Sequence, residues 1–378
     1  MRIAFFTGSL QVGGAERMHA LMAAACAARG HEVIFLTIDA HKDAPEIRAL
    51  LGEVPVKRVL GRRAPGPMRL WQLAGAWRGL RRLLQEARPD VVYAVLDWAN
   101  WLAVRASHAM AEAPPVVIGL ANCMHHRGAA RRFPEGRLCR SRPAAGVIAN
   151  SQRGLAAASA RGLQGGFMRV IHAGVDPDEY KPDRPGGRRI RGELGISEQT
   201  RLVGHVGRLH PVKDHHLLLR GFARMHPQTH LLCVGSGEGA YADALKRLAE
   251  QLGVSDRVTW WSRRQDLPAV YTACDVLALP SRSEGCPNVV MEAMACGTTC
   301  VVADVGAAAD IVGERQYVLK ERTPQALAKA LTLPDRGEEP CRRRVLDHFT
   351  LEQCADHTVR ALVEAARGRE PATVYPRT

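Results

Sequence analysis

Two glutamates with seven residues between them stand in the stretch LPSRSEGCPNVVMEAMACG. Glu284 lies in EGCPN, which we predict to be a loop, and Glu292 lies about one turn into a helix that ends at Gly297. Both carboxylates can therefore face the same ligand, and a carboxylate accepts hydrogen bonds well from sugar or ribose hydroxyls. Glutamates are also common in the first turns of helices for dipole reasons, so a purely structural interpretation exists.

A basic pair, Arg208 and Lys213, lies in VGRLHPVKD after a predicted strand. Arginine offers a bidentate fork and lysine a compact charge, and both suit the oxygens of a diphosphate. We expect the pair where a diphosphate could lie between two domains. The alternative is that both residues form ordinary surface ion pairs.

Two glycine-containing loops could also approach a phosphate. In TGSLQVGGAERMHAL a strand ends, the chain passes Gly13 and Gly14, and a helix begins. Helix N-termini present free amides to anions, and glycines let a ligand come close to the backbone, although a simple strand-to-helix turn explains the same pattern. The second loop, VGSGEG, is only part of a dinucleotide fingerprint and is weak evidence by itself.

Short apolar segments rich in Val or Ile alternate with helical patterns, which predicts parallel sheets covered on both faces. The first half contains RIAFFTG, HEVIFLTI, DVVYAVL, PVVIGLA and GVIANS, and the pattern restarts near residue 200 with LVGHVGR, HLLCVGSG, RVTWWS, DVLALPS and TTCVVAD. Between the two series, GVDPDEYKPDRPGGRR has the composition of a linker. We therefore predict an α/β fold with two Rossmann-like domains, residues 1–178 and 179–350, facing each other across a cleft and followed by a C-terminal helix and tail at 351–378.

The formal net charge of +14 is distributed unevenly over the 378 residues. Residues 54–85 hold eight basic residues and no acid, and residues 125–145 hold six arginines and one glutamate. Residues 66–87 are predicted to form an amphipathic helix whose leucines and Trp77 pack on the first sheet, with arginines facing outward beside the loop 127–142. Such segments suit phosphates, nucleic acid or an anionic membrane surface, or they are simply solvated.

The apolar runs are too short for a membrane-spanning helix, and the N-terminal run is too short for a signal peptide. The ten cysteines show no paired framework, which fits a reduced cytosolic protein. We therefore expect a cytoplasmic location, with peripheral attachment to the inner face of the cell membrane as a hypothesis.

The motifs GGAE, GRLHPVKD, VGSGEG, RRQDLPAVYTACDVLALPS and EGCPNVVMEAMACG occur in this order and together resemble glycosyltransferase family 4, retaining enzymes of the GT-B fold. The resemblance extends over nearly the whole chain. It implies that Arg208 and Lys213 bind the donor diphosphate, that Glu292 holds the ribose and that Glu284 holds the transferred sugar. It further implies donor contacts for Gly13 and Gly14 at the phosphate and sugar, for Arg263 beside the nucleobase, and for the backbone amides near Pro287, Asn288 and Val289 at the phosphates.

The sequence departs from the family pattern in three places. Ser262 stands where a glycine usually precedes Arg263, and Cys286 replaces a usual aromatic residue. Many members have a histidine just after the strand that corresponds to PVVIGLA, whereas this chain continues with Asn122, Cys123 and Met124 before His125 and His126. Whether either histidine serves in that role is left open by the resemblance.

The resemblance implies that a hexose-type sugar moves from a nucleotide diphosphate sugar with retention, the leaving phosphate helping to deprotonate the acceptor. We expect a UDP-sugar, although no sequence feature separates UDP from GDP, and we expect no cofactor besides the donor. No metal is predicted, because Asp176 and Asp178 lie in a proline-containing turn where aspartate is common. The expected acceptor belongs to cell-surface polysaccharide, lipopolysaccharide or glycolipid assembly, and a soluble small molecule is the alternative.

Three other classes of protein fit less well. A nucleotide-sugar epimerase could share the two-lobed fold, but the paired glutamates together with Arg208 and Lys213 argue against it. An NAD dehydrogenase needs a complete G-x-G-x-x-G, which the first strand–helix loop does not have. A nucleic-acid-binding protein would combine its basic segments with stacking aromatics or a helix-turn-helix, and neither accompanies them, so we expect no nucleic acid partner.

Overall fold

The computed structural model describes residues 1–11, 13–38, 43–60, 70–121, 138 and 143–368. Within these ranges the chain forms two compact units. The first consists of Met1–His172 together with the segment from Glu352, and the second is Ala173–Leu351. None of the helices in the described ranges is both long and apolar enough to cross a membrane.

A parallel sheet with the strand order β3-β2-β1-β4-β5-β6-β7 forms the centre of the first unit. The five strands predicted in this half are all present, and each is almost wholly buried. The sequence did not predict β3 and β7, because three residues are too few to carry an apolar pattern. The strands are β1 (Arg2–Thr7), β2 (Glu32–Thr37), β3 (Val56–Arg58), β4 (Val91–Val95), β5 (Val116–Leu120), β6 (Gly146–Ala149) and β7 (Met168–Val170).

The helices of the first unit include the amphipathic helix that the sequence predicts. Its Leu73, Leu80 and Leu84 are buried in one cluster with residues of the sheet, and Trp77 packs partly buried against that cluster. Residues 66–69, the side chains of Leu70 and Trp71, and nearly all of the loop 127–142 lie outside the described residues. The helices are α1 (Gly14–Ala28), α2 (Pro45–Ala49), α3 (Leu70–Ala87), α4 (Asp97–Ser107) and α5 (Gln152–Ala160).

The second unit has its own parallel sheet, in the order β10-β9-β8-β11-β12-β13. The strand order reverses between β8 and β11, and in open α/β sheets ligands bind beyond the carboxyl ends of strands at such a switch point. The strands are β8 (Arg201–Val206), β9 (Thr229–Val234), β10 (Val258–Trp261), β11 (Val276–Leu279), β12 (Cys300–Ala303) and β13 (Val318–Leu319).

Residues 174–189 were predicted to be a linker, but in the structure a helix begins at Arg184, within the second half of this stretch. Asp183 caps this helix by accepting a hydrogen bond from the Gly186 amide, and Pro185 lies in its first turn. Composition alone suggested a linker, but proline in the first turn of a helix and aspartate just before it also signal a helix start. The whole stretch belongs to the second unit.

The helices of the second unit are α6 (Arg184–Glu193), α7 (His215–Phe222), α8 (Ala240–Gln251), α9 (Leu267–Ala273), α10 (Asn288–Ala295), α11 (Ala308–Val312), α12 (Pro324–Leu331) and α13 (Glu338–His348). The helix predicted near the C-terminus is α14 (Leu351–Arg367). It returns to the first unit, where Asp356 pairs with Arg29 at 2.9 Å and Glu364 pairs with Arg169 at 2.7 Å.

Candidate active site

Eight of the ten predicted site residues lie in the second unit, at or just beyond the carboxyl ends of its strands. Arg208 and Lys213 follow β8, Arg263 follows β10, and Glu284 follows β11. Pro287, Asn288, Val289 and Glu292 stand at or within the helix that comes next, α10. Because β10, β8 and β11 are parallel members of one sheet, their carboxyl ends share one edge, and the sheet brings these residues to it.

The ammonium of Lys213 contacts the Glu284 carboxylate at 2.8 Å, and the two side chains are only 16% and 14% exposed. Lys213 ends a short 3₁₀ turn, Pro211–Lys213, that follows β8, and Glu284 lies in the loop before α10. The two side chains expected to hold different parts of a donor are therefore partners of each other in this structure. A ligand that enters here meets a preformed pair of opposite charges.

Asp214 fastens the Lys213 turn to the Glu284 loop. Its carboxylate is 8% exposed and accepts hydrogen bonds from Arg282, at 3.2 Å, and from Arg322, at 2.6 Å. The Arg282 amide also donates to the carbonyl of Val212 at 2.7 Å. This role of Asp214 was not predicted from the sequence. The signal that could have found it is an aspartate that leads directly into the apolar run of α7.

The VGSGEG stretch has a packing role that its sequence did not reveal. A side chain at Gly235 would strike the carbonyl oxygen of Gly207, since the loops after β8 and β9 touch there through their backbones. The Gly207 amide donates to Val234, and the Leu209 amide donates to Ser236, both at 2.9 Å. This loop therefore sets the position of the segment that carries Arg208.

Glu292 lies deeper than Glu284, with only 6% of the residue exposed. The buried hydroxyl of Tyr271 donates a hydrogen bond to its Oε2 atom at 2.7 Å. Burial and the neighbouring Glu292 charge raise the pKa of the Tyr271 phenol well above its ordinary value, so the phenol keeps its proton. Glu292 is predicted as a site residue from the sequence, whereas Tyr271 is not.

The N-terminus of α10 presents backbone amides at the same edge of the sheet. Pro287 is the N-cap residue and supplies no side-chain hydrogen bond to the first turn. Uncapped amides at a helix N-terminus are a natural site for an anion. The prediction that amides near Pro287, Asn288 and Val289 contact phosphate fits this geometry.

The two predicted arginines, Arg208 and Arg263, are both exposed. Arg208 forms no ion pair with any residue in the described ranges, so the surface ion pair considered for it is not seen there. Next to Arg263, Arg264 instead serves structure: it donates to Asp266 at 2.7 Å and lies over the Trp261 ring at 4.4 Å. This arginine holds the pKa of the Asp266 carboxyl well below its usual range.

Two buried histidines lie close to Lys213. His205, on β8, donates from Nδ1 to the Ala278 carbonyl at 2.9 Å, and its ring meets that of His215 at 4.6 Å between centroids. Burial, reinforced by the Lys213 charge, lowers the pKa of His205 to about 4, and burial beside His205 and Lys213 lowers that of His215 to about 2. Both are therefore neutral near pH 7 and add no charge to the site.

The remaining predicted residues belong to the first unit. Gly13 is the N-cap of α1 and Gly14 its first residue, directly after the loop that follows β1. His125 and His126 lie outside the described residues. The Asp176 carboxylate, in the second unit, accepts a hydrogen bond from the amide of Asp178 at 2.9 Å, a contact within the local turn.

Two models of known protein families match the chain. Residues 12–179 match the family model described as Glycosyltransferase Family 4, and residues 187–343 match that described as Glycosyl transferases group 1. A D-inositol 3-phosphate glycosyltransferase of Mycolicibacterium smegmatis is 43% identical over 143 residues, 36% of this chain and 32% of that protein. Its counterpart in Mycobacterium tuberculosis is 41% identical over 154 residues, 39% of this chain and 31% of that protein. The chain thus spans about a third of the length of these curated relatives.

Solved structures resemble the chain over nearly its full length. Anabaena HepE in complex with UDP has a TM-score of 0.81 at 25% identity, covering 96% of this chain and 100% of that one. The HepE complex with UDP-glucose has a TM-score of 0.79. WaaG, a glycosyltransferase involved in lipopolysaccharide biosynthesis, shares the fold with a TM-score of 0.63 at 20% identity, covering 97% of both chains. Together, the two family models and the matching architecture show that the chain belongs to glycosyltransferase family 4, and that its two parallel α/β units have the GT-B fold predicted from the motifs.

Proposed function

We propose that this glycosyltransferase moves a hexose-type sugar from a UDP-sugar to its acceptor with retention of configuration. The proposal depends on one observation: Lys213, Glu284, Glu292 and the start of α10 all lie at the edge formed by the carboxyl ends of the strands of the second unit. A UDP donor is supported by HepE, which is 25% identical over nearly the whole chain and was solved with UDP and with UDP-glucose. No further cofactor and no metal ion are part of the proposal.

The chemistry follows from where charge grows during transfer. As the glycosidic bond to the diphosphate breaks, negative charge develops on the departing phosphate. Arg208, Lys213 and the amides of α10 would stabilise that charge, and preorganised electrostatics of this kind usually dominates such reactions. The departing phosphate would accept the acceptor's proton on the same face of the sugar.

The Lys213–Glu284 contact gives this scheme a defined order. Donor phosphate replaces Glu284 as the partner of Lys213, and Glu284 then accepts hydrogen bonds from the hydroxyls of the sugar. Both side chains are mostly buried, and the exchange supplies each of them with a new hydrogen-bond partner, the donor phosphate for Lys213 and the sugar hydroxyls for Glu284. This order makes each residue necessary for donor binding as well as for turnover.

For the acceptor we propose a saccharide carried by a lipid at an anionic membrane surface, in cell-surface polysaccharide, lipopolysaccharide or glycolipid assembly. The supporting feature is the outer face of α3, where Arg78 and Arg82 are exposed. Exposed basic side chains favour binding to an anionic membrane surface. The enzyme would work at the cytoplasmic side as a peripheral protein.

A soluble acceptor that carries phosphate is the second candidate. It is favoured by the name of the curated relatives, D-inositol 3-phosphate glycosyltransferase, and by the same basic residues. Both candidates share the chemistry of an anionic acceptor. They differ in whether a membrane is needed.

The donor part of the proposal is tested by mass spectrometry of donor hydrolysis across UDP-, GDP- and ADP-sugars. We expect turnover with a UDP-sugar and a loss of about 10²–10³ in rate for Lys213→Ala, which removes a charge that stabilises the departing phosphate. Glu292→Ala should also lose most turnover, because the ribose is no longer held. Lys246→Ala and Glu250→Ala, two exposed positions on α8, are matched controls and should retain turnover. Near-wild-type rates for both site variants at saturating donor would refute the assignment.

The acceptor part is tested by flotation with phosphatidylglycerol vesicles at low salt. Replacing both Arg78 and Arg82 by alanine should weaken binding roughly 30-fold, since each basic residue near an anionic surface contributes about 1 kcal/mol. The control is Arg220→Ala with Arg224→Ala, two exposed arginines of the second unit. If the wild type does not float, the membrane hypothesis fails, and transfer to inositol phosphates or sugar phosphates then becomes the decisive assay.

A further inference from the structure

Tyr271 contacts the proposed donor site through its hydroxyl group. It lies on α9, is fully buried, and donates its hydroxyl hydrogen to Glu292 Oε2 at 2.7 Å. We propose that Tyr271 is a positioning residue, which holds the Glu292 carboxylate in the orientation that recognises the ribose hydroxyls and so makes the enzyme select ribonucleotide donors. The inference rests on the proposed function, in which Glu292 binds the ribose.

The direction of this hydrogen bond is fixed. The phenol keeps its proton because burial and the nearby carboxylate both oppose its ionisation. The hydroxyl can therefore only donate toward Glu292, and Oε2 is the acceptor. A hydrogen bond from a buried neutral donor to a carboxylate sets the rotation of that carboxylate, because turning it away would leave a buried charge less well satisfied.

Tyr271 is itself held by the backbone around it. Its carbonyl accepts a hydrogen bond from the Thr298 hydroxyl at 2.7 Å, and Thr298 lies just beyond the end of α10. The Thr298 amide donates to Ala293 at 2.9 Å, so the same residue is tied to both helices. Contacts at Glu292 and at Thr298 thus fix α9 against α10 at two points. The phenol is therefore held in place and can fix the orientation of the Glu292 carboxylate.

The Tyr271 ring fills core space, whereas its hydroxyl serves Glu292. Tyr271→Phe separates the two roles, since it keeps the ring and removes only the hydroxyl. Tyr317→Phe is a matched control within the same unit, because that buried phenol donates to the Pro334 carbonyl at 3.0 Å and is not among the predicted site residues. Both variants lose one hydrogen bond of a buried tyrosine, and only one of them should change recognition of the ribose.

The experiment compares a UDP-sugar with its 2′,3′-dideoxy analogue in donor hydrolysis, for the wild type and both variants. The wild type should prefer the ribose form by roughly tenfold to hundredfold in kcat/KM, the range expected for hydrogen bonds to a charged group. In Tyr271→Phe we expect most of that preference to disappear, through a higher KM for the ribose donor and a nearly unchanged KM for the dideoxy donor. Tyr317→Phe should keep the wild-type preference even if its melting temperature falls.

The outcomes separate this inference from the function it rests on. If the wild type prefers the ribose donor and Tyr271→Phe lowers kcat/KM equally for both donors, the positioning role is wrong while the donor site stands. If the wild type hydrolyses both donors without distinguishing them, the assignment of Glu292 to the ribose fails and this inference fails with it. If the wild type hydrolyses neither, the proposed UDP-sugar donor is wrong. Loss of preference in Tyr317→Phe as well would also refute the specific role of Tyr271.

Discussion

Acidification from pH 7.5 to pH 5.5 should weaken the folded state by about 4 kcal/mol through the three buried histidines whose pKa burial lowers furthest, His19, His205 and His215. His230, which is also buried with a lowered pKa, adds to the loss in the same direction. Of the three, His19 belongs to the first unit. Its ring lies among those of Phe5, Phe35 and Tyr93, with centroid distances of 5.1, 5.3 and 5.1 Å. Burial lowers the pKa of His19 to about 3.

The other two, His205 and His215, form the neutral pair of the second unit. Their pKa values of about 4 and about 2 lie well below the value of a histidine in an unfolded chain, roughly 6.5. A proton therefore binds all three residues in the unfolded state before it binds them in the folded state. The stability that they contribute is fully present above pH 6.5 and is lost as the pH falls below it.

The magnitude follows from proton linkage. At pH 5.5, one unit below the unfolded pKa, each unfolded histidine gains about 1.4 kcal/mol from proton binding, and the folded residues gain almost nothing. Three such residues give about 4 kcal/mol, with roughly a third of the loss in the first unit and two thirds in the second. The window stays above the usual range of carboxyl pKa values, so acidic groups contribute little.

The assay is urea unfolding at both pH values, with the transitions of the two units recorded separately. His19→Leu should reduce the pH dependence of the unfolding free energy by about 1.4 kcal/mol, and His205→Leu with His215→Leu by roughly twice as much. Each variant is compared with itself at the other pH, so its own loss of packing cancels. His348→Gln, an exposed position at the end of α13, is the control. A His19→Leu protein with the full wild-type pH dependence would refute the reasoning.

The remaining predictions concern the loops around Glu284 and the role of metal. In thermal melting, Gly306→Ala should destabilise the second unit by more than the roughly 1–2 kcal/mol that a left-handed alanine costs, because its Cβ would strike the Gly285 carbonyl, and it should also slow donor turnover. Gly195→Ala is the control: this residue is also left-handed but lies in open space, so the variant should lose only the backbone cost. Asp214→Asn should lower the free energy of unfolding by about 2 kcal/mol and raise the KM for the donor. An unchanged KM would show that the Asp214 contacts do not position the donor site. Transfer should persist in EDTA, and a loss that added Mg²⁺ or Mn²⁺ restores would contradict the proposed metal-free chemistry.

The sequence was sufficient to predict the strands that contain enough apolar residues to form a recognisable pattern. Nine of the ten predicted strands are runs of mostly apolar, mostly buried residues, and such runs are visible without any structure; the tenth, β10, is only partly buried. β13 has two residues and β3 and β7 have three, so their pairing depends on neighbours that the sequence does not show. The start of α6 was missed for a different reason, since proline and glycine there favour a linker unless the capping role of Asp183 is weighed.

The site residues that could be predicted from the sequence are those whose charged side chains are suited to bind the donor directly. Glu284, Glu292, Lys213 and Arg208 are charged groups at the ends of predicted strands or in a predicted helix, and the structure brings all four to one edge. Their contacts with one another were not predictable, because the Lys213–Glu284 pair joins residues 71 positions apart. Tyr271 was missed because a tyrosine in an apolar helix resembles core. Its hydroxyl could have indicated a polar contact, because the hydroxyl of a buried tyrosine usually has a hydrogen-bond partner.

The glycines of VGSGEG show how one pattern can favour two different explanations. From the sequence they resemble part of a loop that wraps a phosphate. In the structure, Gly235 lies against the Gly207 carbonyl, where any side chain would push the loops after β8 and β9 apart. The segment displaced would be the one that carries Arg208, so a substitution here would weaken phosphate binding without removing any ligand contact of its own. A glycine can therefore be required by a phosphate site because of how closely two backbones pack beneath it, and a loss of activity on its substitution does not by itself show that it touches the donor.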